Sequence, residues 1–303
     1  MDAANRFSVI WLTAGGRPAY SARVMIARLA PRDHTVILGG LALHYCEWGA
    51  RDARPLVLLH GITGHARTWD HLASAPQPAF HVIALDQRGH GDSQWAPGGD
   101  YSVGAMAGDV ERLVDHLGLG RFLLLGLSMG GRVSIAFAGM HPERVEQLVI
   151  VDIGPDIAPE GMERIRSAIG TAPERFTTED EALEYVRRAN PRYDEVELRR
   201  RVAHGLTRLS DGGLAWKYDK AIREAMRLGT RREVMNLWEP LARITCPTLL
   251  VRGAESDILS PEIAKRMLAT LPDGRLVEIA GAGHSVPGDQ PDAFAVAVRS
   301  FLA

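Results

Sequence analysis

An α/β fold is predicted, with a mostly parallel central sheet, helices on both faces and a helical segment inserted into the framework. Three observations carry the prediction. From His34 onward, apolar strand-like runs alternate with amphipathic helical patterns. The later runs are continuously apolar, as strands covered on both faces require. One of them, Phe122–Leu125, breaks into Gly126-Leu-Ser128-Met-Gly130 and then a helical pattern, a strand-to-helix turn that pushes the serine out of the sheet.

Taken in order, residues 1–33 are the least readable. They include Ser8-Val-Ile-Trp-Leu-Thr-Ala14, too short and too weakly flanked by positive charge for a signal peptide, so an unstructured or loosely docked extension is expected and a cytoplasmic location is the default. Thr35–Leu38, Gly39-Gly40 and Leu41–Tyr45 read as a hairpin. Strand runs follow at Leu56–Leu59, Val82–Leu85, Phe122–Leu125 and Leu148–Val151, then, after a gap, at Thr248–Val251 and Leu276–Ile279. Ahead of Phe122–Leu125, apolar residues from Val103 to Leu117 recur with helical period behind Ser102, a candidate N-cap, and Gly118 ends the pattern. The core is therefore expected over 34–153 and 245–303. Residues 154–244 lack strand runs, are rich in Arg and Glu, and show helical patterns near Glu179–Ala189, Asp194–Leu209 and Trp216–Gly229. They are expected to form a helical cap hinged at Gly154-Pro155 and Glu239-Pro240.

Composition bounds the function. A net charge of −2 over 303 residues argues against a polyanion-binding surface, so no nucleic acid is expected. No apolar run approaches the ~20 residues of a membrane helix. Cys46 and Cys246 show no metal-ligand spacing and read as core thiols, and neither metal nor cofactor is expected. The partner is a small-molecule substrate; a homo-oligomer is left open.

The chemistry starts at Ser128. A neutral hydroxyl is a poor nucleophile and needs a base, for which His284, in Gly281-Ala-Gly283-His284 after the last strand run, is the candidate. His60 and His90 sit in glycine-bearing loops and are expected to brace turns. The helix after Ser128 aims its N-terminal amides at the serine, so that the Met129 N–H can stabilise an oxyanion. The base needs an orienting carboxylate, and two stand at strand ends: Asp257, in Val251-Arg-Gly-Ala-Glu-Ser-Asp257, and Asp152, in Leu148-Val-Ile-Val-Asp152-Ile-Gly-Pro155.

Together with His60-Gly61-Ile62 and Asp86-Gln-Arg88-Gly89-His90-Gly91, these motifs give the chain, over about residues 34–303, a specific resemblance to the α/β-hydrolase superfamily. The resemblance implies an oxyanion hole from the amides of Ile62 and Met129. It favours Asp257 as the acid, although Gly253 to Asp257 is one residue longer than the common spacing; branches with an Asp-Ile-x-Pro turn instead take it from the position of Asp152. Glu255 is a distant third. Asp86 and Arg88 are expected to lock their loop by an internal ion pair. Ser128 at the elbow implies acyl transfer to water through a serine ester, on an ester, lactone or amide. The alternatives are carbon–carbon bond hydrolysis of dienoic ring-cleavage products and a hydrolase-derived ligand sensor with little turnover. Asp86–Gly91, Val151–Pro155 and Asp211-Gly-Gly-Leu214 are similar to the acetylaminomethylene-succinate hydrolases in particular. In the cap, Trp216 and Tyr218, with Tyr185, Tyr193 and Trp238, are candidates for lining a substrate pocket. Arg188, with Arg187, Arg199, Arg200 and Arg201, is a candidate for binding carboxylates, against the reading of a solvated helix face.

Overall fold

The computed structural model describes residues 9–12, 30–74, 80–229 and 235–303. Twelve strands occur among them: β1 (Val9–Leu12), β2 (Arg32–Leu38), β3 (Leu41–Trp48), β4 (Arg54–Leu59), β5 (Phe80–Leu85), β6 (Phe122–Leu127), β7 (Val145–Val151), β8 (Arg175–Phe176), β9 (Leu206–Arg208), β10 (Leu214–Trp216), β11 (Thr248–Gly253) and β12 (Gly274–Ile279). Nine form one sheet in the order β1-β12-β11-β7-β6-β4-β5-β3-β2. The β2–β3 and β3–β5 pairs are antiparallel and the other pairs are parallel.

The continuously apolar runs follow from burial on both faces. Val57 and Leu59 of β4, Phe122 and Leu124 of β6, and Leu148 and Ile150 of β7 enter one core, beneath the helices Val103–His116 and Met129–Met140. Their alternates Leu56, Leu58, Leu123, Leu125, Val149 and Val151 enter a second core, covered by the C-terminal helix Pro291–Leu302. With side chains alternating across the sheet, both sets must be apolar. The hairpin turns on Gly39 and Gly40, whose φ values are 57° and 81°.

Three expectations change. Val9–Leu12, assigned to a loosely docked extension, adds a parallel edge strand beside β12; the rest of residues 1–29 lies outside the described residues. The insert also contains strands: β8, β10 and β9 form a small antiparallel sheet beside the helices Glu179–Ala189, Glu195–Gly205 and Lys220–Leu228. At two or three residues each, these strands are too short to leave an apolar run. The cap has its own core of Phe176, Leu183, Val186, Leu198, Val202, Trp216 and Tyr218 among others. The helix Trp238–Arg243, expected in the cap, belongs to the main body instead, because Leu237, Leu241 and Ile244 enter the first core.

Candidate active site

The turn after β6 is a consequence of glycine. A Cβ on Gly126 would stand 2.3 Å from the Gly130 carbonyl oxygen, and one on Gly130 would stand 2.3 Å from that of Leu59. Only bare backbone lets the strand, the turn and the helix pass this closely. Ser128, between them, takes φ 52° and ψ −115°. Just three non-glycine residues among those described have positive φ: Thr63, Ser128 and Asp152. Such backbone costs on the order of 1–3 kcal/mol per residue and persists where the surroundings over-determine it. All three lie at the carboxyl ends of parallel strands, after β4, β6 and β7.

Ser128 and Asp152 meet there through His284. His284 Nε2 lies 2.9 Å from Ser128 Oγ, and His284 Nδ1 lies 2.8 Å from Asp152 Oδ2. The Asp152 carboxylate is fully buried. Its Oδ1 accepts from the Gly253 N–H at 3.0 Å, and its Oδ2 also accepts from the Ser256 hydroxyl. An acceptor on Nδ1 fixes the tautomer in which Nδ1 carries the proton and Nε2 offers its lone pair to the serine. Asp289 braces the loop before the imidazole, accepting from the Gly283 N–H at 2.8 Å.

The favoured acid is corrected by this arrangement. Asp257 turns away from His284 and accepts from Arg164 Nε at 2.6 Å and Nη2 at 2.7 Å. The Arg164 pair holds its carboxyl below the usual carboxylate range. The physical reason is the longer loop after β11. It spends Gly253 and Ser256 on holding Asp152 and carries Asp257 past the imidazole to the cap helix Pro159–Gly170. Glu255 pairs with Arg192.

Met129 follows Ser128 directly, and Ile62 follows Gly61 in the loop after β4. A Cβ on Gly61 would come within 3.3 Å of Ser128 Cβ, so the loop after β4 lies against the serine. Among the described residues the Ile62 N–H has no acceptor, and Met129 opens the helix, where amides lie beyond the intrahelical ladder. The Gly130 N–H is spent on the His60 carbonyl at 3.1 Å. His60 braces this loop: the Gln87 N–H donates to its Nε2 at 3.0 Å, leaving Nδ1–H for the Gly61 carbonyl at 2.7 Å. Burial lowers the proton affinity of His60, and that of His90 to about 3.

The expected Asp86–Arg88 pair is absent. Asp86 binds His44 Nδ1 at 2.8 Å and accepts from the amides of Ala66 and Asp92, whereas Arg88 pairs with Asp109. Both still lock their loop, through partners that sequence spacing does not reveal. His44 also contacts Asp33, and these groups, with Cys46 or Asp92, are the metal-donor sets among the described residues. They stand in the β2–β3 hairpin and the Asp86 loop and are hydrogen-bonded to one another.

In the cap the candidates separate. Trp216 donates from Nε1 to the Pro173 carbonyl at 2.9 Å and stacks on Tyr218 at 5.7 Å, so both anchor the cap's core. Burial pushes the Tyr218 phenol up to about 12. Arg188 is exposed, with Glu184 3.9 Å away, and Arg187 and Arg199 likewise pair with glutamates on exposed faces. Arg188 is therefore corrected to a solvated position. Arg201 alone of the five reaches the loop after β4, donating from Nη2 to Thr63 Oγ1 at 3.2 Å. Ile62 packs against the cap's apolar core, so cap and loop form one wall.

The sequence profile described as the alpha/beta hydrolase fold matches residues 54–291. The chain belongs to the α/β-hydrolase family. It is 32% identical to a 3-hydroxybutyrate-oligomer hydrolase of Cupriavidus necator, over 85% of this chain and 92% of that protein. It is 31% identical to an esterase of Mycobacterium tuberculosis, over 86% of each. The crystal structure of an E-2-(acetamidomethylene)succinate hydrolase superposes with a TM-score of 0.81 at 26% identity, over 90% of this chain and 99% of the other. Placement among the α/β hydrolases thus agrees with the sequence motifs and with the sheet. No helix among the described residues is long and apolar enough to cross a membrane.

Proposed function

We propose that this α/β hydrolase is a serine hydrolase cleaving a small-molecule ester or amide through an acyl-enzyme, with Ser128 as nucleophile, His284 as base and Asp152 as the orienting acid. The observation that carries the reading is the continuous hydrogen-bonded line Ser128–His284–Asp152, held by two of the three non-glycine residues with positive φ among those described. His284 Nε2 takes the Ser128 proton as Oγ attacks the substrate carbonyl carbon. The carbonyl oxygen gains charge between the Ile62 and Met129 amides, each such donor lowering the barrier by about 3 kcal/mol. The imidazolium then protonates the leaving alcohol or amine. Water enters, His284 removes its proton, and the acyl group leaves as a carboxylic acid while Ser128 recovers its hydrogen. Asp152 keeps its charge throughout and stabilises the imidazolium. The names of the relatives support both leaving-group classes: one hydrolyses 3-hydroxybutyrate oligomers, another an acetamidomethylene succinate.

Incubation with a fluorophosphonate tests the reading. A single adduct is expected on the peptide containing Ser128, with parallel loss of p-nitrophenyl ester turnover and no adduct in His284→Ala. Turnover that survives full modification of Ser128 would overturn the serine mechanism.

A further inference from the structure

We infer that Arg201 is the anchor for a carboxylate on the substrate, so that the enzyme acts on esters or amides that also carry a free acid group. The inference rests on the serine-hydrolase reading above and adds a substrate class to it. Arg201 is part-buried, and its guanidinium touches the loop that carries Ile62 and faces Ser128. The neighbouring cap arginines are neutralised: Arg164 by Asp257, Arg192 by Glu255, Arg200 by Glu197 and Asp70. Arg201 has no carboxylate within ion-pair distance among the described residues, and its one protein acceptor there is the neutral Thr63 hydroxyl. Glu197, one helical turn earlier, is taken by Arg200.

One carboxylate, that of Glu197, also feels the charge of Arg201, and its hydrogen bond goes to Arg200. Otherwise the field of Arg201 falls on Tyr185 and Tyr193, whose phenols burial pushes up, and on His60 and His65, whose proton affinity burial lowers. A part-buried cation with no carboxylate of its own in hydrogen-bond contact gains from a further counter-charge. The fork of a guanidinium fits a carboxylate through two parallel hydrogen bonds. Thr63 orients the fork from the protein side. Thr63 follows Ile62 directly, at a positive φ of 60°, so a carboxylate bound at Arg201 would sit against the same loop that offers the Ile62 amide.

The test compares p-nitrophenyl hemisuccinate with p-nitrophenyl butyrate, two esters differing chiefly in a terminal charge. The wild-type enzyme is expected to favour the hemisuccinate. In Arg201→Met the ratio of the two kcat/KM values should fall by about 100-fold, mostly through KM of the hemisuccinate, with partial recovery in Arg201→Lys. An equal loss on both esters would mean that Arg201 only props the Thr63 loop, and would overturn the anchor. So would a wild-type enzyme with no preference between them. A measurement on the unmodified enzyme stands beside the variant: glutarate should compete with the butyrate ester and glutaramide should not. Equal inhibition by both would also overturn the proposal. Turnover of the butyrate ester, abolished by Ser128→Ala, keeps the serine reading standing in each of these failures; its absence would bring down both.

Discussion

The carboxyl edge of the sheet and the cap helices both bring charged groups together, by opposite means. At the sheet edge a fully buried carboxylate, an imidazole and a hydroxyl are fixed by backbone: two sit at positive φ, and their supporting donors include the Gly253 amide. On the cap helices most charges meet at exposed side chains, such as Arg187 with Glu184 and Glu195, and Arg227 with Glu224. The difference teaches where each property of the enzyme resides. Under the proposed mechanism, reaction type rests on strand ends held by the sheet, and the proposed substrate anchor rests on a cap side chain that turns inward.

The most severe break falls on the sheet edge. Ser128→Ala is expected to lower turnover by about 10⁴–10⁶-fold with the fold retained, since one oxygen leaves a turn built by glycines. Ester hydrolysis and near-ultraviolet circular dichroism on the same sample check this; more than a tenth of the activity remaining would contradict it.

The next contrast sets Asp152 against Asp257. Asp152→Asn is expected to cost about 10⁴ in kcat, because an amide at that place presents the wrong group to His284 Nδ1. Asp257→Asn loses only a partly exposed pair with Arg164, a contact of the kind worth roughly 0–1 kcal/mol, and should leave kcat within a few-fold. Steady-state kinetics on the two folded variants decide, and the reverse ranking would return the acid to Asp257.

That contrast also marks how much was legible. The elbow, the final histidine and the alternation of strands and helices were readable because they depend on local requirements: glycines where a Cβ collides at 2.3 Å, and apolar residues on both faces of each strand. The choice between the two acids was not. It depends on which way a loop turns after β11, and Ser256, whose hydroxyl holds Asp152, leaves no mark in the sequence as a residue for that task. The Asp-Ile-Gly-Pro turn was the available signal. Partners far apart in the chain were equally hidden, as with Arg88 and Asp109 or Arg201 and Thr63, since nothing in spacing says which faces meet.

Acid should separate the sealed interior from the solvated cap. Burial lowers the proton affinity of His60, His65 and His90, the last to about 3. Their unfolded forms take up protons below about pH 6.5, so the stability they contribute is full above that value and is lost as pH falls toward the folded one. For His90 the window runs from about 6.5 to about 3, with a slope of at most about 1.4 kcal/mol per pH unit. The melting temperature should therefore drop between pH 7 and 5, and His90→Gln should flatten the drop. An unchanged slope in that variant would mean that His90 already protonates in the folded protein.

The smallest effect, and the sharpest division inside the cap, lies between arginines on two of its helices, Arg188 on Glu179–Ala189 and Arg200 on Glu195–Gly205. Arg188 is 71% exposed and stands 3.9 Å from Glu184, so both charges remain hydrated and the pair yields little. Arg188→Ala should change stability by less than about 0.5 kcal/mol and leave hydrolysis of charged and neutral esters alike. Arg200 is only 10% exposed and holds Glu197, itself 12% exposed, whose proton affinity burial raises. Arg200→Ala strands that carboxylate away from water, so a loss on the order of 3 kcal/mol is expected, and Arg200→Ala combined with Glu197→Gln should recover part of it. Chemical denaturation of the three variants measures the difference. Equal stability of Arg188→Ala and Arg200→Ala would show that the Arg200–Glu197 pair is as hydrated as the exposed pair of Arg188 with Glu184, against its burial.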